Sequence, residues 1–356
     1  MRYSVTAMKI DRRHFLSYAG ASLTTSQLGG CGTDKVETPG VPRSNFDDES
    51  TAEQVTAGVD LTGKLAVVTG CTSGIGFETM RVLAKRGAYV VGTSRSLDRA
   101  KAACRKVIGI TTPVQLDLGD FDSVAACADS IRSLLTPIDI LVCNAGYLGG
   151  GGDRELINGI EKHFVINHLG HFILVNRLLD RMFVAWQGRI VIVASSASYT
   201  AAPDRGILFN DLGFDSNYKD FLAYGHSKLA NVLFSLHIAE LLRGTRVTSN
   251  SLHPGVIDTG LFRDFNPVMR FGVGVYTAIA GKTIEQGAAT SCHVATSDIL
   301  GTTSGAYFED CNAVTIQGRN HLYNKLMAEE LVRVSAELTA DYLVEPKLPD
   351  WENLTQ

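Results

Sequence analysis

From Lys64 onward, short runs of β-branched and other apolar residues alternate with longer segments of helical periodicity, and this alternation constrains the fold more than any other feature. Six runs have the length and composition of buried strands: 65–69, 89–93, 113–116, 138–143, 189–194 and 246–252. Strands separated by helices favour a parallel sheet that is covered by helices on both faces. The alternation therefore predicts an α/β fold built on one doubly wound parallel sheet.

Composition divides the chain into four parts. Residues 59–345 hold all the predicted strands without an internal repeat, which indicates a single folded domain. Its last segment, 322–343, has apolar residues at helical spacing, is expected to pack on the core and stops before Pro346, so that 346–356 form a C-terminal tail. Residues 32–58 are polar, contain Pro and Gly and carry few large apolar side chains, which predicts a flexible linker.

The first 31 residues have the features of an export signal. Arg12 and Arg13 form a twin-arginine pair, and a weakly apolar run leads from them to the sequence LGGC, which ends at Cys31. This segment resembles a bacterial twin-arginine lipoprotein signal, in which the cysteine thiol receives a lipid. It predicts export to the cell envelope and a lipid anchor on Cys31. The alternative is a disordered leader with a chance arginine pair, which would leave the protein in the cytoplasm.

Composition and charge exclude several classes of function. A formal net charge of -4 offers no broad basic surface for nucleic acid, and no apolar run reaches the roughly 18 residues that a membrane span needs. The seven cysteines show no CxxC pair or metal-ligand spacing, which predicts free and mostly buried thiols. His163, His168 and His171 lie close in sequence, but no further ligand completes a set nearby, so we predict packing roles and no metal.

A glycine-rich stretch, TGCTSGIG at 69–76, follows the first strand and opens a helix. Gly70 suits a tight turn, Gly74 lets backbone approach a pyrophosphate, and Gly76 allows close packing. The exposed amino end of the helix would attract the phosphates. The stretch therefore predicts a dinucleotide site in a Rossmann-type domain, with a purely structural turn as the alternative.

The residues after the second strand indicate which dinucleotide binds. An NAD enzyme typically carries Asp or Glu there, where the carboxylate binds the ribose hydroxyls. This chain has Ser94 and Arg95 instead. The planar guanidinium of Arg95 matches a 2′-phosphate, with Ser94 as a further donor, so we predict NADP(H). Asp117, just past the third strand, is a candidate acceptor for the adenine amino group.

Two segments further along the chain carry candidate catalytic groups. AYGHSKLAN at 223–231 places Tyr224 and Lys228 four residues apart, on one face of a helix. A nearby ammonium is expected to lower the pKa of a tyrosine from its ordinary value of about 10. Tyr224 could then move the hydroxyl proton while hydride moves at a nicotinamide. Ser196, at the end of the fifth strand, is expected to hydrogen-bond the substrate carbonyl and Tyr224.

Together these motifs resemble those of the short-chain dehydrogenase/reductase family, and most closely its group of retinol dehydrogenases, WW-domain oxidoreductases and protochlorophyllide reductases. The stretches that carry the resemblance span nearly all of the domain in the family order. They are TGCTSGIG (69–76), CNAG (143–146), NHLGHF (167–172), SS (195–196), AYGHSKLAN (223–231), HPGVIDT (253–259) and SGAYFEDC (304–311).

The resemblance implies a catalytic tetrad of Asn167, Ser196, Tyr224 and Lys228, in which Asn167 holds a water that links Lys228 to solvent. Lys228 would also hold the nicotinamide ribose, and Thr259 would bind near the carboxamide. The complete set of cofactor-binding residues predicted from the motifs and the resemblance is Gly70, Ser73, Gly74, Ile75, Gly76, Ser94, Arg95, Asp117, Leu118, Asn144, Ala145, Gly146, Tyr224, Lys228, Pro254, Gly255 and Thr259.

The predicted function is NADP(H)-dependent interconversion of a lipophilic alcohol and its carbonyl, with Tyr224 as general acid and base. An apolar, glycine-punctuated segment at 260–281 suits either a lid over an apolar substrate or packing against the sheet or a partner subunit, which leaves a homodimer open. Two other functions also stay open. One is a cofactor-binding sensor or scaffold without turnover, and the other is light-driven reduction of the protochlorophyllide type.

Overall fold

The structure is a computed structural model that describes residues 34–150, 152–257 and 281–345. Its strands are β1 (Lys35–Glu37), β2 (Leu65–Val68), β3 (Tyr89–Ser94), β4 (Ile110–Gln115), β5 (Ile140–Cys143), β6 (Leu156–Ile157), β7 (Ile160–Glu161), β8 (Gly188–Val193), β9 (Val247–His253), β10 (Tyr307–Glu309) and β11 (Asn312–Ile316).

The α-helices are α1 (Ala52–Val55), α2 (Gly74–Lys85), α3 (Leu97–Cys104), α4 (Phe121–Arg132), α5 (Lys162–Phe164), α6 (Gly170–Phe183), α7 (Ala197–Thr200), α8 (Asp220–Leu241), α9 (Ile284–Thr296) and α10 (Lys325–Leu338). A π-helical turn at Val165–Leu169 joins α5 to α6. Short 3-10 turns lie at Asp298–Leu300, Asn320–Tyr323 and Ala340–Tyr342.

The main sheet has the strand order β1-β11-β10-β9-β8-β5-β2-β3-β4 within the described residues. From β4 to β10 every neighbouring pair is parallel, whereas β11 and β1 add antiparallel strands at one edge. The fold is therefore α/β, as predicted, and all six predicted strands are present with small differences at their ends. The edge hairpin of β10 and β11 was not predicted.

Helices cover both faces of the sheet and bury its central strands completely. The four residues of β2 and the four of β5 are all buried. One apolar cluster joins these strands to α4, α6 and α8, and a second cluster joins them to α2, α3 and α9. Because all the parallel strands end at the same edge of the sheet, the residues that follow β2, β3, β5, β8 and β9 are brought together there.

The prediction of a flexible linker at 32–58 was wrong for its described part, 34–58. Strand β1 pairs with β11, and Thr51 and Gln54 form a capping box on α1. Ala52 and Val55 are buried against α9 and α2. Backbone pairing and two small apolar side chains hold this segment on the domain, so it needs few large apolar residues to be ordered.

The predicted C-terminal helix is present but shorter than expected. It begins at Lys325, where the Asn324 side chain accepts the N–H of Met327, and it ends at Leu338. Leu331 packs in the core, as predicted, whereas Leu326 is 76% exposed. The tail 346–356 and the predicted signal with Cys31 lie outside the described residues. Among the described residues, no helix is both long and apolar enough to cross a membrane.

Candidate active site

The glycine-rich stretch forms the turn between β2 and α2, as the sequence predicts. Gly70 has a φ of +73°, which lies in the left-handed region that favours glycine. A Cβ on Gly76 would clash with the Gly70 carbonyl and the Asn144 amide. The third glycine of the turn is therefore required for close packing inside the protein, at the point where the first helix turn meets the end of β5.

Thr69 fastens this turn to the segment after β5. Its hydroxyl oxygen accepts the backbone N–H groups of Asn144 and Ala145, each at 2.9 Å. The Asn144 side chain in turn donates to the Thr69 carbonyl at 2.8 Å. The glycine-rich turn, which is the predicted phosphate turn, is therefore tied to the CNAG segment by hydrogen bonds at the carboxyl edge of the sheet.

A cavity of about 270 Å³ opens along this edge. The predicted site residues that line it are Gly70, Ser73, Gly74, Ile75, Gly76, Ser94, Arg95, Asp117, Leu118, Asn144, Ala145, Gly146, Tyr224, Lys228 and Pro254. Gly255 follows Pro254 and packs against the side chain of Lys282. Thr259, like most of the predicted lid, lies outside the described residues.

The two ends of the cavity differ in chemistry. One end lies at the carboxyl end of β3 and the first turn of α3, and it is lined by Ser94, Arg95, Ser96 and Arg99. Arg99 was not among the residues predicted from the sequence. Its signal was a second arginine in the first turn of the helix that follows Arg95, although Arg95 itself precedes the N-cap residue Ser96.

The cavity has the features that a phosphorylated dinucleotide needs. In the described structure the N-cap residue Ser73 makes no side-chain hydrogen bond to the first turn of α2. Gly74, Ile75 and Gly76 of that turn line the cavity, and a helix amino end favours an anion. With the glycine cradle at one end and two arginines at the other, these residues fit an NAD(P) cofactor.

Lys228 and Tyr224 lie on α8, with their side chains at the inner wall of the cavity. The Lys228 ammonium donates to the main-chain oxygen of Val193 at 3.1 Å, and Asn231 donates to the same oxygen at 3.3 Å. Burial lowers the pKa of Lys228 to about 8, because a charged ammonium is costly to remove from water. Lys228 is thus held at the end of β8 by a neutral partner.

The pKa of Tyr224 differs from the sequence expectation. Burial raises it to about 12, and a hydrogen bond from Ser195 opposes this effect. Lys228 was expected to lower the pKa of Tyr224, but burial has the larger effect. The ammonium lies 5.7 Å from the centre of the Tyr224 ring, and the phenol is nearly fully buried. Tyr224 is therefore a protonated phenol at neutral pH.

The hydroxyl that contacts Tyr224 belongs to Ser195, one residue before the predicted Ser196. Ser196 is the N-cap of α7, with a helical φ of -57°, and its carbonyl accepts the N–H groups of Tyr199 and Thr200. The Ser195 hydroxyl accepts the N–H of Ala197 at 3.2 Å, which leaves its proton to donate to Tyr224. The start of α7 decides which serine faces Tyr224, and the sequence pattern alone does not fix that start.

Asn167 occupies the π-helical turn between α5 and α6 and is completely buried. Its side-chain oxygen accepts the N–H of Tyr147 at 2.7 Å, and its amide donates to the Tyr147 carbonyl at 3.0 Å and to the Ser227 hydroxyl at 2.9 Å. The side chain thus joins the loop after β5 to α8. A π turn in a helix is often found at a functional site.

The three histidines considered as metal ligands have separate partners. His163 bonds to Glu161 at 2.7 Å and accepts the N–H of Gly149 at 2.9 Å. His168 bonds to the Ser335 hydroxyl at 2.8 Å. In the part of the chain that the structure describes, no group of three or more His, Cys, Asp or Glu residues could hold a metal ion. The six described cysteines are free and buried.

Comparison with known proteins places the chain among oxidoreductases of one family. The family model described as short chain dehydrogenase matches residues 64–206. Short-chain dehydrogenase TIC 32 A, chloroplastic, from Brassica napus is 37% identical over 311 residues, which are 83% of this chain and 95% of the relative. Retinol dehydrogenase 12 from Homo sapiens is 37% identical over 285 residues, 79% of this chain and 87% of the relative.

A further relative and two solved structures agree with this placement. WW domain-containing oxidoreductase from Gallus gallus is 34% identical and matches over 82% of this chain and 75% of its own. An uncharacterized protein from Mycobacterium paratuberculosis superposes with a TM-score of 0.65 at 29% identity, over 84% of this chain and all of that one. A protein from Beutenbergia cavernae described as an NAD(P)-dependent gluconate 5-dehydrogenase, with bound NADP, gives 0.54 at 24% identity over 70% of this chain and 95% of that one, and shows the fold alone.

Proposed function

Because the chain belongs to the short-chain dehydrogenase/reductase family, we propose that it is an NADP(H)-dependent oxidoreductase that interconverts a lipophilic alcohol and its carbonyl. The observation that carries the proposal is that one cavity joins the phosphate turn to both Tyr224 and Lys228. A cofactor bound along the carboxyl edge would reach from the phosphate turn to the buried phenol.

The choice of NADP(H) rests on the end of the cavity at β3 and α3. Arg95 and Arg99 both line it, and no Asp or Glu lies among the residues from Thr93 to Ser96. A 2′-phosphate needs cationic donors, and a guanidinium offers two of them in a planar arrangement. A carboxylate, which would bind two free ribose hydroxyls in NAD, would instead repel that phosphate.

The buried phenol supplies the proton in the direction of reduction. When bound, the nicotinamide supplies a hydride to the carbonyl carbon. Tyr224 donates its proton to the carbonyl oxygen, so that the C=O bond becomes an alcohol and the tyrosine becomes a phenolate. The Ser195 hydroxyl and the positive charge of Lys228 stabilise this phenolate. Oxidation follows the same steps in reverse and needs Tyr224 deprotonated first.

The surroundings of Tyr224 support an apolar substrate. Tyr224 forms a small buried cluster with Leu148 and Ala197, and the Phe221 ring stacks on it with centroids 6.0 Å apart. One of the compared relatives, retinol dehydrogenase 12, carries a name that describes the same chemistry, since retinol is a lipophilic alcohol. We therefore assign the substrate to the class of apolar aldehydes, ketones and their alcohols.

Turnover with a defined probe tests this proposal. The full chain is incubated with NADPH or NADH and with all-trans-retinal, decanal or glyceraldehyde, and the alcohol is measured by chromatography. We expect reduction of the two apolar aldehydes with NADPH, at a kcat/KM at least about tenfold above that with NADH or with glyceraldehyde. Tight NADPH binding without any turnover would instead support the sensor or scaffold function.

We also propose that the amino-terminal signal is used and that Cys31 carries a lipid in the cell envelope. The proposal rests on the twin-arginine pair and the LGGC sequence, which occur in the order and spacing of such signals. Strand β1 begins at Lys35, so only three residues would separate the lipid from the sheet. A mass spectrum of the native protein tests this: a lipid-modified Cys31 as amino terminus supports it, and an intact Met1 or Met8 terminus contradicts it.

A further inference from the structure

His171 lies in the first turn of α6, between the phosphate turn and the π-helical turn, and it is almost completely buried. Its Nδ1 atom is 3.2 Å from the main-chain oxygen of Asn167, and its Nε2 atom is 3.0 Å from the hydroxyl of Thr69. The imidazole thus bridges Thr69 and Asn167, which belong to different parts of the proposed site and are 98 residues apart in sequence.

The direction of each hydrogen bond follows from the chemistry of the partners. A carbonyl oxygen can only accept, so Nδ1 carries the proton and Nε2 accepts from the Thr69 hydroxyl. Thr69 can donate this proton because its oxygen already accepts the N–H groups of Asn144 and Ala145. Burial lowers the pKa of His171 to about 4, so the imidazole stays neutral and keeps this tautomer at physiological pH.

The π-helical turn explains why a side chain is needed at this point. In such a turn the backbone bonds shift from the fourth to the fifth preceding residue, as in the bond between Gly170 N–H and the Val165 carbonyl. The Asn167 carbonyl lies within this turn. The His171 imidazole supplies an N–H to the Asn167 carbonyl and thereby holds the turn in place.

From Asn167 the hydrogen bonds continue to the catalytic helix. Its amide donates to the Ser227 hydroxyl, and Ser227 donates to the main-chain oxygen of Tyr224 at 2.7 Å. The same Asn167 side chain holds the backbone of Tyr147 through two further bonds. A change in the position of Asn167 would therefore move both the loop after β5 and the helix that carries Tyr224.

We propose that His171 is a positioning residue of the active site: it fixes Asn167 through Nδ1 and, through Nε2 and Thr69, holds Asn167 in register with the segment Asn144–Ala145. The inference rests on the proposed function for its catalytic consequence, whereas the hydrogen-bond chain itself is independent of that function. His171 touches neither substrate nor cofactor in this account and acts through its neighbours.

Three substitutions separate the two hydrogen bonds of His171. His171→Asn places an amide N–H near the position of Nδ1, His171→Gln places an amide near the position of Nε2, and His171→Leu removes both. We expect His171→Leu to lower kcat for decanal with NADPH by about 10- to 100-fold, because misplaced catalytic groups lose this much. The KM values should change by less than about threefold. His171→Asn should recover more of the lost kcat than His171→Gln does.

His168 provides the matched control, since it is also buried but bonds to Ser335 on α10 and not to the site. We expect His168→Leu to lower the Tm without a selective loss of kcat. If both leucine variants lose kcat in proportion to their loss of Tm, or if neither amide variant recovers kcat beyond the leucine variant, His171 has only a structural role and the proposal is overturned.

Amide hydrogen exchange of the ligand-free chain provides a readout that needs no turnover. We expect His171→Leu to speed exchange at 144–150 and at 165–170, and His168→Leu to leave 144–150 unchanged. Unchanged exchange at 144–150 in His171→Leu would overturn the proposal even if the enzyme is active. If exchange is faster in His171→Leu but the wild-type chain reduces no carbonyl, the hydrogen-bond chain is supported and only the proposed function is contradicted.

Discussion

The Lys228 ammonium lies 5.7 Å from the centre of the Tyr224 ring while its nitrogen donates to the main-chain oxygen of Val193. Lys228 is thus fixed by the end of β8 and acts on the phenol through its charge. Burial sets both pKa values before any cofactor is bound, with Lys228 at about 8 and Tyr224 at about 12. At pH 7 Lys228 therefore carries a positive charge, and Tyr224 carries a proton that it can donate.

This relationship predicts how carbonyl reduction depends on pH. The phenolate that forms in the reaction is stabilised by the Lys228 charge, and this charge is lost as pH rises through the lowered pKa of about 8. We expect kcat/KM for decanal reduction, which reports the free enzyme, to fall above about pH 8. In Lys228→Arg the fall should move to higher pH, because arginine stays charged. A profile that rises from pH 7 to 9 would contradict this assignment.

Tyr224→Phe should abolish the proton transfer and leave the cavity intact. We expect kcat to fall by about 10²- to 10⁴-fold, the usual loss for a general acid, with NADPH affinity changed by less than about threefold. The affinity is measured by NADPH fluorescence. Phe221→Leu, which alters the ring stacked on Tyr224 but keeps the phenol, is the control and should affect KM more than kcat. Equal kcat in Tyr224→Phe and wild type would remove Tyr224 from the mechanism.

The two adjacent serines give a sharp comparison of positions. Because the Ser195 hydroxyl contacts Tyr224, we expect Ser195→Ala to lower kcat by about 10²-fold, as loss of an oxyanion donor commonly does. Ser196→Ala should change kcat by less than about threefold, since Ser196 serves as the N-cap of α7 through its backbone. A larger loss of kcat in Ser196→Ala than in Ser195→Ala would instead support the role that the sequence predicted for Ser196.

Cofactor preference should depend on Arg95 and Arg99 together. We expect Arg95→Ala and Arg99→Ala each to weaken NADPH binding by about 10- to 100-fold and to leave NADH binding unchanged, because the lost bonds are to the 2′-phosphate. Lys101→Ala, which removes a charge from the same helix outside the cavity lining, is the control. Parallel losses for both nucleotides, measured by isothermal titration calorimetry, would contradict the assignment of the arginines to that phosphate.

The segment 34–58 should behave as part of the domain. Val55 is buried between α9 and α2, so Val55→Asp would place a charge without a partner in the core. We expect it to lower the free energy of unfolding by at least about 2 kcal/mol in urea denaturation. Ala57→Asp, two residues on at an exposed position, should stay within about 0.5 kcal/mol of wild type. Equal stability of the two variants would indicate a loose linker.

Periodicity was sufficient to predict the core of the fold, because the central strands β2 and β5 are continuous apolar runs, and such runs are typical of buried parallel strands. It could not predict β10, since three residues after a glycine give no periodic pattern. Nor could it predict β1, whose order depends on backbone pairing with the distant strand β11, as between Lys35 and Ile316, and not on its own exposed side chains. Composition indicates how much apolar surface a segment can bury, and an edge strand such as β1 is ordered without burying much of it.

For the site, motif and resemblance predicted residues of which most line one cavity, because glycines and a Tyr–Lys pair have strict spacing requirements. Two points depended on exact geometry and were missed. Arg99 joins Arg95 in the cavity lining because α3 starts at Leu97, and Ser195 is the serine beside Tyr224 because α7 starts at Ala197 with Ser196 as its N-cap. The raised pKa of Tyr224 was also unforeseen, since burial of the phenol is set by packing that the sequence does not specify.

The most direct test of the central claim follows a hydrogen isotope from the cofactor to the product. The full chain is incubated with decanal and NADPH that carries deuterium at C4 of the nicotinamide, and the decanol is analysed by mass spectrometry. Our account predicts one deuterium in the decanol made by wild type, from one of the two C4 faces only, and no decanol with Tyr224→Phe above about 1% of wild type. Decanol without deuterium would contradict this account. The same holds if NADPH binds to the wild-type chain and no decanol forms.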